Sequence, residues 1–359
     1  MSAKQRLAVD LTEFLSHPFK PASGLSNGHL MTIAPLLMGR RFPLTRSTAQ
    51  ECLIEVDKDV FITGYLHNPA KSLSTNLLII VHGLESSAQA TYVQGLCEKS
   101  LDSGLSVFRM NMRNCEGRLD LASGLYNAGL SQDLCRVAEY LKQTTNAQRV
   151  FACGFSLGGN IVLKAAAELG LLGSDLLSGV VAISPPIDLD LSVQAIESGI
   201  NKLYEHNFLY SLKQKIRDKA RLFPDVYDIG PLSQIQSLRQ FDDRYTSIDA
   251  GYKCAAEYYA GASARPMLKQ IDIPTLIIAA HDDPLVPFES FDGISEVETK
   301  GSGACVQLLA PRHGGHVSFV SANQLSINDL GCTGVAVVRD NYWAEWKALD
   351  FVLKIINCQ

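Results

Sequence analysis

The chain has 359 residues, enough for one large α/β domain or two smaller ones, and its 47% hydrophobic and 19% charged residues are typical of a globular protein. This composition excludes intrinsic disorder over most of the chain. The formal net charge of -5, without long runs of Lys or Arg, argues against nucleic acid as a partner.

The sequence predicts a protein without a secretion signal or a membrane span. The stretch "MSAKQRLAVDLTEFL" mixes charges with apolar residues, unlike the continuous apolar core of a signal peptide. No apolar run reaches the roughly 18 residues that cross a bilayer. We therefore expect a cytoplasmic location, while peripheral contact with a membrane and the oligomeric state stay open.

Short β-rich apolar runs alternate with helical segments along the chain, a pattern typical of an α/β fold with a mostly parallel sheet and helices on both faces. The predicted strands are 51–56, 60–66, 76–82, 105–111, 149–153, 179–184, 274–280 and 304–309. The first two are separated only by Asp57, Lys58 and Asp59, which leaves no room for a crossover helix. We therefore expect an antiparallel hairpin at one edge.

The interval 185–273, between the sixth and seventh strands, is unusually long. It contains two helical patterns, "IESGINKLYEHNFLYSLKQKIRDKARLF" and "AGYKCAAEYYAG". We expect one α/β domain over residues 1–359, with a helical cap inserted at 189–265 over the carboxyl edge of the sheet. The C-terminal "NYWAEWKALDFVLKII" predicts a further helix that packs on the sheet.

The stretch "GFSLGG" places Ser156 between a predicted strand and a predicted helix. It matches G-x-S-x-G in the context of a nucleophile elbow, where the serine backbone is strained and the glycines relieve crowding. A purely structural glycine-serine turn is the alternative. The order of an acid and a histidine further along the chain can distinguish the two, because this fold places the serine first, then the acid, then the histidine.

An acid follows the seventh strand, in "AAHDDPLVP". We expect Asp283 to be the orienting acid. Hydrolases with a nucleophile elbow often show a small residue three positions before the acid and a proline four positions after it. Ala280, Asp283 and Pro287 match that pattern. We interpret Asp282 as a turn or capping residue.

Two histidines follow the eighth strand, in "APRHGGHVSF". We expect His316 to be the general base and assign no role to His313. A metal site is the alternative, but no third ligand lies at a characteristic spacing and the nine cysteines form no CxxC pair. We therefore predict neither a metal nor a cofactor, and we interpret Cys153 as a core residue.

The loop "HGLESS" after the third strand is where such a hydrolase places one donor of the oxyanion hole. We expect the backbone N–H groups of Leu84 and Leu157 to form that hole. His82 is interpreted as a structural residue that supports the turn.

These residues resemble the YheT-like branch of the α/β-hydrolases, which also includes the vertebrate abhydrolase-domain phospholipases. The resemblance spans nearly the whole chain. The motifs that carry it are "NGHLMTIAP", "HGLESSAQATYV", "NMRNCEG", "YNAGLSQDL", "GFSLGGNI", "FDDRYT", "AAEYYAGAS", "DDPLVP", "GGHVSF" and "YWAEW". It implies an eight-stranded α/β-hydrolase fold with a helical cap, esterase or lipase-like activity, and a triad of Ser156, Asp283 and His316.

The sequence departs from the family pattern at Ser86, Asn114 and Ser318, where a glycine is common. These departures leave the triad groups in place. Asp242 and Asp243 in "FDDRYT" match the family, and we expect them to cap or pin the insertion rather than take part in catalysis.

The predicted activity is hydrolysis of a small-molecule acyl ester through an acyl-serine intermediate. Transfer of the acyl group to another acceptor and a non-catalytic binding module are the alternatives, whereas dehalogenase chemistry would require a carboxylate at Ser156. One set of apolar residues in the insertion either lines an acyl pocket or belongs to the core. These residues are Leu203, Tyr204, Phe208, Leu209 and Leu212.

Overall fold

The computed structural model describes residues 18–69, 74–294, 305–330 and 338–357. Two predictions lie partly or wholly outside these ranges. They concern the stretch "MSAKQRLAVDLTEFL", which was compared with a signal peptide, and residue 304 of the predicted eighth strand. The strands are β1 (Gln50–Asp57), β2 (Val60–His67), β3 (Asn76–Val81), β4 (Ser106–Met110), β5 (Arg149–Phe155), β6 (Gly179–Ile183), β7 (Thr275–Ile278), β8 (Val306–Leu309), β9 (Val320–Ser326) and β10 (Arg339–Tyr342).

Strands β1 to β8 form one sheet in the order β1-β2-β4-β3-β5-β6-β7-β8. All neighbours from β4 to β8 run parallel, whereas β2 is antiparallel to both β1 and β4. The predicted eight-stranded, mostly parallel sheet and its edge hairpin are therefore confirmed.

The helices are α1 (Gly28–Ile33), α2 (Pro43–Thr48), α3 (Thr91–Asp102), α4 (Ser131–Thr144), α5 (Leu157–Leu172), α6 (Leu189–Ile196), α7 (Lys202–Leu222), α8 (Leu238–Phe241), α9 (Ser247–Asp249), α10 (Ala255–Ala262) and α11 (Trp343–Asn357). A π-helical turn, Asp242–Thr246, joins α8 to α9. Helix α11 confirms the predicted C-terminal helix.

The apolar run of β3 shows why the central strands are mainly hydrophobic. Leu77 and Ile79 pack into the core cluster that includes α4 and α5, while Leu78 and Ile80 pack into the cluster that includes α3 and α11. Successive side chains of a strand point to opposite faces, so most positions of a strand that is covered on both faces favour an apolar residue. Cys153 is buried in the second cluster, as predicted.

The interval between β6 and β7 contains α6 to α10. It supplies most of a separate core cluster, in which Leu125 from the loop before α4 packs with Leu209, Ile216, Tyr227, Leu232, Ile235, Phe241 and Tyr245. The long helix predicted from "IESGINKLYEHNFLYSLKQKIRDKARLF" is interrupted between α6 and α7. Gly199 adopts a φ of +54° at the interruption, a left-handed conformation that an α-helix does not continue through.

Two parts of the fold were not predicted. Strands β9 and β10 form a separate antiparallel pair, and α1 and α2 precede the sheet. Among the described helices, none combines the length and the apolar character needed to cross a bilayer.

Candidate active site

Ser156 lies in the sharp turn between β5 and α5. Its φ of +51° and ψ of -122° are unusual for a residue with a Cβ atom, and its N–H donates to the carbonyl of Ile183 at 2.8 Å. Such strain persists only where the surrounding structure imposes it. The turn therefore has the strained serine that the sequence predicts.

The glycines around Ser156 are required by close contact with the backbone. A Cβ atom on Gly154 would lie 2.0 Å from the carbonyl oxygen of Gly158. A Cβ atom on Gly158 would lie 2.5 Å from the carbonyl oxygens of both Val81 and His82. The end of β5, the start of α5 and the end of β3 thus approach one another too closely for any side chain.

The structure brings Ser156, His316 and Asp283 together. His316 Nε2 lies 2.8 Å from Ser156 Oγ, and His316 Nδ1 lies 2.9 Å from Asp283 Oδ2 and 3.2 Å from Asp283 Oδ1. The side chains of His316 and Asp283 are 10% and 2% exposed. The imidazole is therefore held between a hydroxyl and a buried carboxylate, largely away from water.

Asp283 is fixed by its own loop. The backbone N–H groups of Leu285 and Val286 donate to its Oδ1 at 2.9 and 3.1 Å. These bonds orient the carboxylate, so that both of its oxygens remain within 3.2 Å of His316 Nδ1.

Asp282 lies in the turn after β7, as the sequence predicts, and its carboxylate also contacts a second loop. Its Oδ1 accepts the N–H of Gly315 at 3.0 Å, and its Oδ2 lies 3.2 Å from Nδ1 of His313. Asp282 therefore connects its loop to the loop that carries His316. His313, which the sequence left without a role, is the second partner in that connection.

Leu84 and Leu157 line the pocket beside Ser156 and His316, where the sequence places the two oxyanion donors. Leu157 is the first residue of α5, and the first N–H groups of a helix have no partner within it. His82, directly after β3, is fully buried and lies between the N–H of Met112 and the carbonyl of Gly83. Burial lowers the pKa of His82 to about 4, as expected of a neutral, structural imidazole.

Glu85, next to Leu84, attaches this loop to the insertion. It has a φ of +49°, and its carboxylate accepts from Lys215 at 2.6 Å, from the Tyr126 hydroxyl at 2.7 Å and from Ser211. The Glu85 N–H donates back to the Tyr126 hydroxyl at 2.8 Å. Burial would raise the pKa of Glu85, but the Lys215 charge and these hydrogen bonds together lower it below its ordinary value.

The three departures from the family pattern leave this arrangement intact. Asn114 has a φ of +62°, a conformation that glycine adopts freely and asparagine tolerates better than most residues. Ser86 accepts a hydrogen bond at 2.9 Å from Tyr92, whose hydroxyl also accepts the N–H of Gly83 at 3.1 Å. Ser318 lies between Val317 and Phe319, whose φ values are +60° and +41°.

A mainly apolar pocket opens at Ser156 and His316, with one wall from the insertion. The insertion contributes Leu189, Ser192, Val193, Ile196, Phe208, Leu212, Leu238, Asp242, Thr246, Tyr258 and Tyr259. Of the five candidate acyl-pocket residues, Phe208 and Leu212 line the pocket. Leu209 packs in the insertion's own core, Tyr204 stacks on His29 with ring centroids 5.9 Å apart, and Leu203 is 72% exposed.

Asp242 and Asp243 have different environments. Asp243 Oδ1 accepts the N–H of Ala255 at the start of α10, as expected of a capping residue. Asp242 lines the pocket and accepts from the Tyr259 hydroxyl at 2.7 Å. Burial raises the pKa of Asp242 to about 6.

Within the described residues, no group of three or more His, Cys, Asp or Glu side chains is placed to hold a metal ion.

The sheet topology, the strained serine turn and the Ser–His–Asp arrangement together define a class of protein, the α/β-hydrolases. A family model described as "alpha/beta hydrolase fold" matches residues 76–322. The chain is 31% identical to "Putative esterase YheT" of Escherichia coli, over 89% of this chain and 93% of that protein. The chain therefore belongs to the YheT-like branch of the α/β-hydrolase family, as the sequence predicted.

The chain is also similar to a second relative and to a solved structure. The chain is 26% identical to human "Phospholipase ABHD3", over 68% of this chain and 58% of that protein. The solved structure of Est1E from Butyrivibrio proteoclasticus aligns with a TM-score of 0.51 at 16% identity, over 86% of this chain and 99% of that one. At this identity the second likeness concerns the fold alone.

Proposed function

We propose that this chain hydrolyses carboxylic esters through an acyl-serine intermediate formed on Ser156. The observation that carries the proposal is the 2.8 Å contact between Ser156 Oγ and His316 Nε2, with Asp283 bound to the other ring nitrogen. The names of the relatives, an esterase and a phospholipase, agree with an ester-hydrolysing enzyme.

In the proposed reaction, Ser156 Oγ bonds to the ester carbonyl carbon while its proton passes to His316 Nε2. The carbonyl electron pair moves to oxygen, and the N–H groups of Leu84 and Leu157 stabilise that oxyanion. When the tetrahedral intermediate collapses, the alcohol leaves with the proton from His316. Water then repeats the sequence, releases the acid and restores Ser156.

The apolar lining of the pocket supports the proposal that the enzyme recognises the acyl group of its substrate. Val193, Ile196 and Phe208 form an apolar surface near the reacting serine, which suits a hydrocarbon chain better than a charged one. We propose that residues 189–265 act as the cap that provides this wall over a single α/β-hydrolase domain. The cytoplasmic location stays a prediction.

The direct test is labelling with a fluorophosphonate, which reacts with an activated serine, together with hydrolysis of p-nitrophenyl esters of increasing acyl length. We expect the wild type to be labelled and to hydrolyse the esters, and Ser156→Ala to do neither. A wild type that resists labelling would contradict the proposal and favour a binding module. Near-exclusive transfer of the acyl group to added alcohol would instead identify an acyltransferase.

The contacts of Glu85 predict that Lys215 supports the oxyanion loop from α7. Lys215→Met leaves the buried Glu85 carboxylate without its ion-pair partner, so we expect the Leu84 N–H to shift and kcat to fall by about tenfold, less than the effect of losing a donor outright. The matched control is Lys202→Met, at an exposed position of the same helix. Equal kcat values for the two variants in a p-nitrophenyl ester assay would refute a role for Lys215.

A further inference from the structure

Three consecutive amides of the loop that carries His316 are held by side-chain oxygens from three distant parts of the chain. The N–H of Gly315 donates to Asp282 Oδ1 at 3.0 Å, and the N–H of Val317 donates to Ser184 Oγ at 3.1 Å. Between them, the N–H of His316 donates to Thr32 Oγ1 at 2.9 Å. The backbone on both sides of the histidine is thus fixed by side chains.

The loop needs such support because its backbone is strained. Val317 has a φ of +60° and Phe319 a φ of +41°. Valine is β-branched, and a positive φ at such a residue is a genuine outlier. A conformation of this kind costs on the order of 1–3 kcal/mol and is kept only where several contacts impose it.

Thr32 is itself held in a single orientation. Its hydroxyl donates to the carbonyl of Gly28 at 2.7 Å, which leaves the oxygen lone pairs facing the N–H of His316. Helix α1 also fits closely against the site, since a Cβ atom on Gly28 would lie 1.9 Å from the carbonyl oxygen of Asp282. Asn27 caps this helix by accepting from His29 and Leu30.

We propose that Thr32 is a positioning residue that sets the backbone of His316, and through it the distance from the imidazole to Ser156. This inference rests on the proposed function and deepens it. It gives a role to the "NGHLMT" motif, which lies outside the family-matched residues 76–322. Misplacing a reacting group by about 1 Å costs about 100-fold in rate, so a small shift of this loop is enough to matter.

The test compares Thr32→Val, which keeps the shape but removes the hydroxyl, with Thr32→Ser, which keeps the hydroxyl. We expect Thr32→Val to lower kcat by about 10- to 100-fold with little change in KM, and Thr32→Ser to stay within about threefold of wild type. The matched control is Thr144→Val. The hydroxyl of Thr144 also donates to the carbonyl four residues earlier, at an exposed site.

A second readout does not depend on activity. In hydrogen–deuterium exchange, the peptide covering 312–319 should exchange faster in Thr32→Val than in wild type, and it should be unaffected in Thr144→Val. Unchanged exchange in that peptide, or a wild-type kcat, would overturn the proposal. If Thr32→Val does not fold, Thr32→Ala gives the same readouts. An inactive wild type that resists labelling would instead count against the proposed function, while the exchange rates still decide the role of Thr32.

Discussion

Replacing His316 with alanine should lower kcat for ester hydrolysis by about 10⁶-fold, because a serine hydroxyl is a weak nucleophile without a base at its proton. His316 Nε2 lies 2.8 Å from Ser156 Oγ, where proton transfer needs no rearrangement. Asp283→Asn should lower kcat by about 10⁴-fold, because an amide in place of the carboxylate favours the wrong tautomer of the imidazole. Both values come from kcat measurements with p-nitrophenyl esters.

The control is His206→Ala, which removes an exposed imidazole from α7 and should leave kcat unchanged. The double variant His316→Ala with Ser156→Ala should be no slower than either single variant, since the two residues act as a unit. Retention of more than about 1% of wild-type kcat by His316→Ala would exclude this histidine as the base.

Gly158→Ala should destabilise the protein by at least about 3 kcal/mol, because the new methyl group meets main-chain atoms that have no room to move. It would lie 2.5 Å from the carbonyl oxygens of Val81 and His82, which belong to β3 and the turn after it. Urea unfolding of the variant and the wild type gives the difference in the free energy of unfolding.

A glycine in open surroundings provides the matched comparison. A Cβ atom on Gly39 would have no heavy atom within 4 Å, and its φ is not in the left-handed region. Gly39→Ala should therefore change the free energy of unfolding by no more than about 0.5 kcal/mol. Equal destabilisation by the two substitutions would mean that crowding at the serine turn is not what requires Gly158.

The sequence predicted the main sheet because a strand that is buried on both faces appears in the sequence as a continuous apolar run. The runs that became β3, β6 and β7 are apolar at nearly every position. Strands β6 and β7 are buried throughout, and β3 is buried at every position after Asn76. The polar strands β9 and β10, "VSANQLS" and "RDNY", carry no such pattern and were missed. Helix α1 spans only six residues, too few to display helical periodicity.

The three triad residues could be predicted because this fold places them in a fixed order along the chain. Ser156, Asp283 and His316 follow the strands that this fold assigns to them, and their separation in sequence does not obscure that order. Helical spacing in α7 predicts that apolar residues share one face of the helix, but it does not show which of them border the pocket. In the structure, Phe208 lines the pocket, whereas Leu203 is exposed.

The contacts that support the site carry no comparable signal in the sequence. The sequence indicates only a turn at Asp282, because Gly315, whose N–H it accepts, lies 33 positions away. Only the folded chain brings the two loops together.

The contact between Thr32 and His316 joins positions 284 residues apart. During synthesis, the nascent chain carries the serine long before the ribosome has added the histidine, so the hydroxyl is unactivated for most of translation. Contacts of such long range also form late, since loop closure costs entropy before it gains interactions. Reactivity is therefore among the last properties that the polypeptide acquires as it matures.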